Sequence, residues 1–121
     1  MVDEEQLKAV LAGVDIWNQW KEQNPRKRPD LRGAQLTGLN LEGIDLNGAR
    51  LDEVDFEFSN LRRANFAGAS MIKVNLSNTD LSEAVLINAN LTGARLKNVK
   101  ATRADFRGAN LTGADVRQVK R

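Results

Sequence analysis

The sequence predicts an all-β solenoid whose N-terminal end is closed by a capping α-helix. Three observations predict it. From Leu31 to Val116 an apolar residue recurs at every fifth position, eighteen times without a slip. Two residues before nearly every one of these lies a small or apolar residue, and alanine takes ten of those places. Upstream, Leu7, Val10, Leu11, Val14, Trp17 and Trp20 follow the three-and-four spacing of one helix face.

The helical segment comes first. Asp3 is placed to cap it, with Gln6 three residues on. Pro25 disfavours helix at Asn24 and ends the element. The cap is therefore expected to present Leu7, Leu11, Val14, Trp17 and Trp20 to the first coil, the two indoles acting as large apolar covers. The basic run Arg26-Lys27-Arg28 then reads as a solvated link. Residues 1–28 form the cap and link, and residues 29–121 the repeats.

A period of five suits neither regular element lying flat. On an α-helix five residues leave a net rotation of about 140°, so the apolar residues would spread all round it. On a flat strand a step of five sends successive side chains to opposite faces. The chain must bend once per repeat, always in the same sense. Pairs such as Ala64 and Phe66 then point inward together, because a spacing of two keeps both on one side of an extended segment. The residue between them is mostly Asn or Asp, as at Asn65, Asn75, Asp80, Asn90 and Asp105, and points outward.

The copies Ala64-Asn65-Phe66-Ala67-Gly68, Ala89-Asn90-Leu91-Thr92-Gly93, Ala104-Asp105-Phe106-Arg107-Gly108 and Ala109-Asn110-Leu111-Thr112-Gly113 carry a family resemblance. The chain resembles the pentapeptide-repeat family, whose consensus is of the A(D/N)LxG type. The resemblance implies a right-handed quadrilateral β-helix with four pentapeptides per coil, here about four and a half coils. The lead-in Trp17-Asn18-Gln19-Trp20-Lys21, with Asn24-Pro25 and Pro29-Asp30-Leu31, is similar to that of bacterial, notably cyanobacterial, members.

Corner residues give a finer expectation. Gly33, Gly38, Gly43 and Gly48 end the first four repeats, and glycine suits the positive φ of a type II turn. Glu53, Phe58 and Arg63 stand there next and resist that conformation. The sequence thus predicts type II corners in the first coil and another type in the second.

Composition narrows the function. The chain has 121 residues, no Cys and no His, which removes disulfides, thiol chemistry and the commonest general base. No apolar run is long enough to span a membrane, and no secretory signal is visible, so a cytoplasmic location is expected. Charge is graded along the chain: residues 29–60 carry net −5 and residues 95–121 net +6.

The acids Glu42, Asp45, Asp52, Glu53, Asp55 and Glu57 lack the compact oxygen-rich loop of a calcium site. A packed rod also offers no cleft for catalytic carboxylates. No metal, cofactor or catalytic residue is expected, and the chain does not read as an enzyme. Some long members of the resembled family mimic duplex DNA and bind DNA gyrase through strongly negative faces. This chain is short and net positive, and Arg95, Lys97, Lys100, Arg103 and Arg107 make its later coils basic. Those bases spread over several faces without aromatic interleaving, so nucleic acid is not the expected partner.

Departures from the outward-polar rule point elsewhere. Val85 and Ile87 flank the inward Leu86, while Ile72 and Phe58 are apolar at outward or corner positions. These four are the candidate contacts for a protein partner. Leu111, Val116 and Val119 are the candidate edge of an end-to-end homodimer, a mode other members of the resembled family use. The reading is a non-catalytic protein-binding or scaffold module; the alternative is a DNA-mimic regulator of a nucleic-acid enzyme such as DNA gyrase.

Overall fold

The computed structural model describes residues 2–121. From Asp30 to Lys120 the chain winds into coils of twenty residues. Parallel bridges join Asp30 to Arg50, Gln35 to Asp55, Asn40 to Asn60 and Asp45 to Asn65, and continue in that register to Lys100 with Lys120. Four pentapeptides make one coil, so the shaft has four sides. Side one carries the inward residues Leu31, Leu51, Met71, Leu91 and Leu111. Side two carries Leu36, Phe56, Leu76, Leu96 and Val116, side three Leu41, Leu61, Leu81 and Ala101, and side four Leu46, Phe66, Leu86 and Phe106.

Repeats of the inner coils dispose of their backbone N–H groups in a recurring way, as buried backbone must. Around Phe66, the Ala64 N–H closes a turn onto the Leu61 carbonyl oxygen at 3.1 Å. Asn65 N–H reaches back to Ile44 at 2.9 Å, while Phe66 and Gly68 reach forward to Val85 and Ile87 at 2.7 and 2.9 Å. The remaining N–H, on Ala67, donates to the Asn65 side-chain oxygen at 3.0 Å. That last bond explains the recurring Asn or Asp. Twelve repeats make it, from Arg32 onto Asp30 to Arg117 onto Asp115.

The interior is filled by the fifth-position residues and their small partners. Every fifth-position residue from Leu31 to Leu96 is buried, and Phe56 meets Phe66 edge to face at 5.8 Å. Two hydroxyls enter this interior on side three. Ser59 Oγ donates to Leu36 O at 2.6 Å and accepts from Leu39 N–H at 2.9 Å, standing in for the direct turn bond of that corner.

The expectation of two corner types is overturned. All eighteen corner residues have positive φ, between 58° and 77°, and ten of them are not glycine. Glu53, Phe58 and Arg63 adopt φ of 61°, 66° and 58° in the second coil. A side chain in this region costs about 1–2 kcal/mol. From Gly33 to Asn98, however, every corner N–H donates to a carbonyl of the next coil, and in nearly all of them a turn bond closes the corner as well; these outweigh the local preference. Asn78, Asn88 and Asn98 meet the same demand at lower cost.

The cap also differs from a single helix. It comprises α1, Glu4–Leu11, and α2, Val14–Gln23, separated by Gly13 at φ 118°. Asp3 caps α1 as expected, its Oδ1 accepting from Gln6 N–H at 3.1 Å. The Gln6 side chain does not return the bond. Its Oε1 instead accepts from Asp30 N–H at 2.6 Å, while Asp3 N–H donates to Asp30 O at 2.8 Å. The break at Gly13 turns Leu11 out of the cap face, leaving it 56% exposed. Val10 and Trp17 are buried, and Leu7, Val14 and Trp20 pack half-buried against the core.

Helix α2 seals the edge of the first coil on side four. Trp17 is wholly buried, stacks on Trp20 at 5.0 Å and donates from Nε1 to Asp45 O at 2.6 Å. Asn18 accepts from Asp45 N–H at 2.8 Å and donates to Gly43 O at 3.1 Å. Lys21 Nζ reaches Asn47 O at 3.0 Å, and Arg28 Nε reaches Gly48 O at 2.7 Å. Arg28 thus has a structural task within a run that reads from sequence as a solvated link.

Candidate interaction surface

The twenty-residue register fixes where each candidate contact lies. Val85 and Ile87 sit on side four, flanking Leu86, and both are half-buried. Their column neighbours are Asn65 and Asp105 beside Val85, and Ala67 and Arg107 beside Ile87. Ala67 and Ile87 therefore form a short apolar strip, bounded by the Asp105–Arg107 ion pair at 2.6 Å. Val85 differs from its counterparts in a second way. It has no side-chain oxygen, so the turn bond made by twelve other repeats is missing at Ile87.

Ile72 and Phe58 do not join this strip. Ile72 lies on side one, half-buried, with its N–H donating to Asp52 Oδ1 at 2.9 Å. Phe58 occupies the corner between sides two and three and is 67% exposed. The four apolar departures are thus divided among three parts of the surface.

Around the outside, charge is arranged in vertical columns. On the corner between sides three and four, Arg63 contacts Glu83 at 3.0 Å and Glu42 at 3.7 Å, and Arg103 contacts Glu83 at 3.6 Å. The hydrogen bond from Arg63, then its charge, holds the Glu83 carboxyl below its ordinary range. Asp115 is pulled furthest, from 3.8 to about 2, first by the side-chain hydrogen bond from Arg117 and then by the Arg117 backbone N–H. These are exposed pairs, and such pairs order side chains more than they stabilise folds.

The acidic residues of the first two coils are spread around the shaft. Among the described residues no group of three acids could hold a metal ion. Of the later cations, Arg107 and Arg117 pair with Asp105 and Asp115 at 2.6 and 2.7 Å. Arg95 and Lys97 share side two, and Lys100 lies round the corner on side three above Lys120, to which it is bridged.

The last coil leaves its interior open. Leu111 and Val116 are 37% and 51% exposed, and with Phe106 and Val119 they line a concavity of about 670 Å³ at this end of the shaft. No helix among the described residues is long and apolar enough to cross a membrane.

A four-sided parallel coil with five-residue sides, left-handed corners and Asn or Asp at the outward position defines a pentapeptide solenoid. The pentapeptide repeats family model matches the chain in overlapping segments, 30–66, 49–86, 59–98 and 79–118. The chain belongs to the pentapeptide-repeat family, and its fold is the family's right-handed quadrilateral β-helix preceded by two helices. Among solved structures it is similar to HetL, a pentapeptide repeat protein involved in heterocyst differentiation regulation from the cyanobacterium Nostoc sp. strain PCC 7120. The identity is 28% over 76% of this chain and 46% of HetL, with a TM-score of 0.64. It is also similar to Rfr23 from the cyanobacterium Cyanothece 51142, with 24% identity over 85% of this chain and 92% of that one, at a TM-score of 0.55. QnrB1, a plasmid-mediated fluoroquinolone resistance protein, shares 22% identity over 80% of this chain and 49% of its own, at a TM-score of 0.64. The chain thus spans about half the length of HetL and QnrB1. No curated protein sequence matches it.

Proposed function

We propose that the chain is a non-catalytic, cytoplasmic binding or scaffold module that docks a protein partner through side four. The observation that carries this reading is the Val85–Ile87 pair. Val85 sits where every other repeat places a polar residue, Ile87 where only Ala67 and Ile72 are otherwise apolar, and Val85 gives up a turn hydrogen bond of about 0.5–1.5 kcal/mol to be there. The family's interior residues are consumed by packing, so function falls to the outward columns. The DNA-mimic alternative needs a continuous negative face, whereas side two runs from Asp55 and Glu57 to Arg95 and Lys97 along its length. The open last coil is proposed as a second contact, where Leu111, Val116 and Val119 would be covered by another copy of the chain.

The test is in-cell photocrosslinking from side four, compared between the wild type and a Val85→Asp/Ile87→Asp variant. A discrete crosslinked partner that disappears in the variant, with unchanged circular dichroism, supports the reading. Identical crosslinking by both proteins overturns it.

A further inference from the structure

We infer that side two is a self-complementary surface on which two copies of the chain associate side by side, with their shafts antiparallel. The inference starts from where charge is left unpaired. On side one Asp30 is engaged by Arg32 at 2.7 Å, on side three Asp80 by Arg62 at 3.3 Å, and on side four Asp105 by Arg107 at 2.6 Å. On side two, Asp55, Glu57, Arg95 and Lys97 make no ion pair among the described residues.

These four charges are placed in a pattern. One outward column reads Gln35, Asp55, Asn75, Arg95, Asp115, and the column beside it reads Thr37, Glu57, Ser77, Lys97, Arg117. Acids lie one coil above Asn75 and Ser77, and cations lie one coil below. Within one shaft Asp55 and Glu57 lie two coils from Arg95 and Lys97, about 10 Å, too far to meet, while Asp115, one coil beyond Arg95, is engaged by Arg117 at 2.7 Å.

A twofold axis can bring two such sides together in two ways, and charge selects between them. With the axis running along the shaft, the columns exchange: Asp55 would face Glu57 of the second copy, and Arg95 would face Lys97. Both contacts are like-charged and unfavourable. With the axis crossing the side at Asn75 and Ser77, each column faces itself in reverse order. Asp55 then faces Arg95 of the second copy, and Glu57 faces Lys97, each contact occurring twice. Asn75 and Ser77 face their own counterparts, and both carry a donor and an acceptor. Every interaction on this side is then isologous, as a twofold interface requires. Lys73 meets its counterpart only at the rim, in the corner column that also holds Glu53.

The side is roughly 20 Å by 10 Å, from the coil spacing and the rise of its extended residues. An interface of that size falls below the about 1,000 Å² expected of a permanent complex. The association is therefore weak, fast and set by charge, and salt weakens it as the screening length falls. Side two lies opposite side four, so the pair would leave both copies of the Val85–Ile87 strip facing outward.

Sedimentation equilibrium of the intact chain tests this, in about 20 mM and about 500 mM salt, where screening lengths differ severalfold. Dimer in low salt that dissociates in high salt is expected. Two charge variants sharpen the test: across the three central coils of the side, Asp55→Asn/Glu57→Lys leaves only cations and neutral residues, and Arg95→Glu/Lys97→Glu leaves only acids and neutral residues. Each alone should be monomeric, and an equimolar mixture should restore the dimer; circular dichroism confirms that both remain folded. Because the chain has no cysteine, Ser77→Cys places a single thiol at the proposed axis, and mild oxidation should yield a disulfide-linked dimer in low salt only. A chain that stays monomeric in low salt, a mixture that does not associate, or a dimer that Ser77→Cys does not trap overturns the inference. The last result would direct attention to the open last coil instead.

Discussion

Removing the indole of Trp17 should detach the cap from the shaft. The side chain is wholly buried, stacks on Trp20 and donates to Asp45 O at 2.6 Å. Trp17→Ala removes the largest fully buried side chain in the molecule, and truncations of this kind cost about 3–5 kcal/mol. Losing the donor also leaves the Asp45 carbonyl without its partner, in a domain whose whole stability is expected to be about 5–15 kcal/mol. Trp17→Phe separates the two contributions. It keeps most of the apolar filling and loses the hydrogen bond, for about 1–3 kcal/mol. Urea unfolding followed by circular dichroism measures both. Limited trypsin digestion adds a local readout, since a loosened cap exposes the Arg26-Lys27-Arg28 link to cleavage ahead of the repeats. A cost below about 1 kcal/mol for Trp17→Ala, the level of an ordinary surface change, would refute the view that the cap is part of the shaft's core.

The corners and the charge columns give two more predictions. Phe58→Gly should stabilise the fold by up to about 1 kcal/mol, because relief of a left-handed φ exceeds the added flexibility of the unfolded chain. Gly48→Ala should destabilise it by a similar amount without any clash, since an added Cβ at φ 68° meets nothing within 4 Å; thermal melts of the two variants should move in opposite directions. On pH, the Asp115 carboxyl is depressed in the folded state, so its contribution is complete above its ordinary value of 3.8 and is lost as pH falls through about 2. In Arg117→Ala that titration should move back up toward 3.8, which an NMR pH titration of the Asp115 carboxyl carbon would follow; an unmoved midpoint would show that Arg117 is not its cause.

The shaft is legible in the sequence because its period is physical. Eighteen apolar residues at one spacing admit a single way to be buried together, and the small partner two residues earlier shows which residues share the inside. The corners were less legible. Local preference at Glu53, Phe58 and Arg63 argues against positive φ, and it is reversed by the turn bonds together with coil-to-coil hydrogen bonds to residues nineteen positions away. The helical break at Gly13 is a similar case, since the spacing from Leu7 to Trp20 runs through it undisturbed. The candidate contacts Val85 and Ile87 can be singled out by type, but their separation from Ile72 and Phe58 appears only once the coil length assigns each to a side. The side-two pattern escapes a linear reading altogether, because Asp55 and Arg95 become related only as members of one column.

The bridges all join residues twenty apart, whatever the number of coils. The entropy of closing each coil is therefore the same at every step, and it does not rise as the chain lengthens. A shaft built this way can wind one coil at a time upon whatever edge already exists. The first edge is supplied from upstream, where Asp3, Gln6, Trp17 and Asn18 offer partners to Asp30 and Asp45 before any second coil is present. The cap thus occupies, at the N-terminal edge of the shaft, backbone groups that elsewhere are taken up by an adjoining coil.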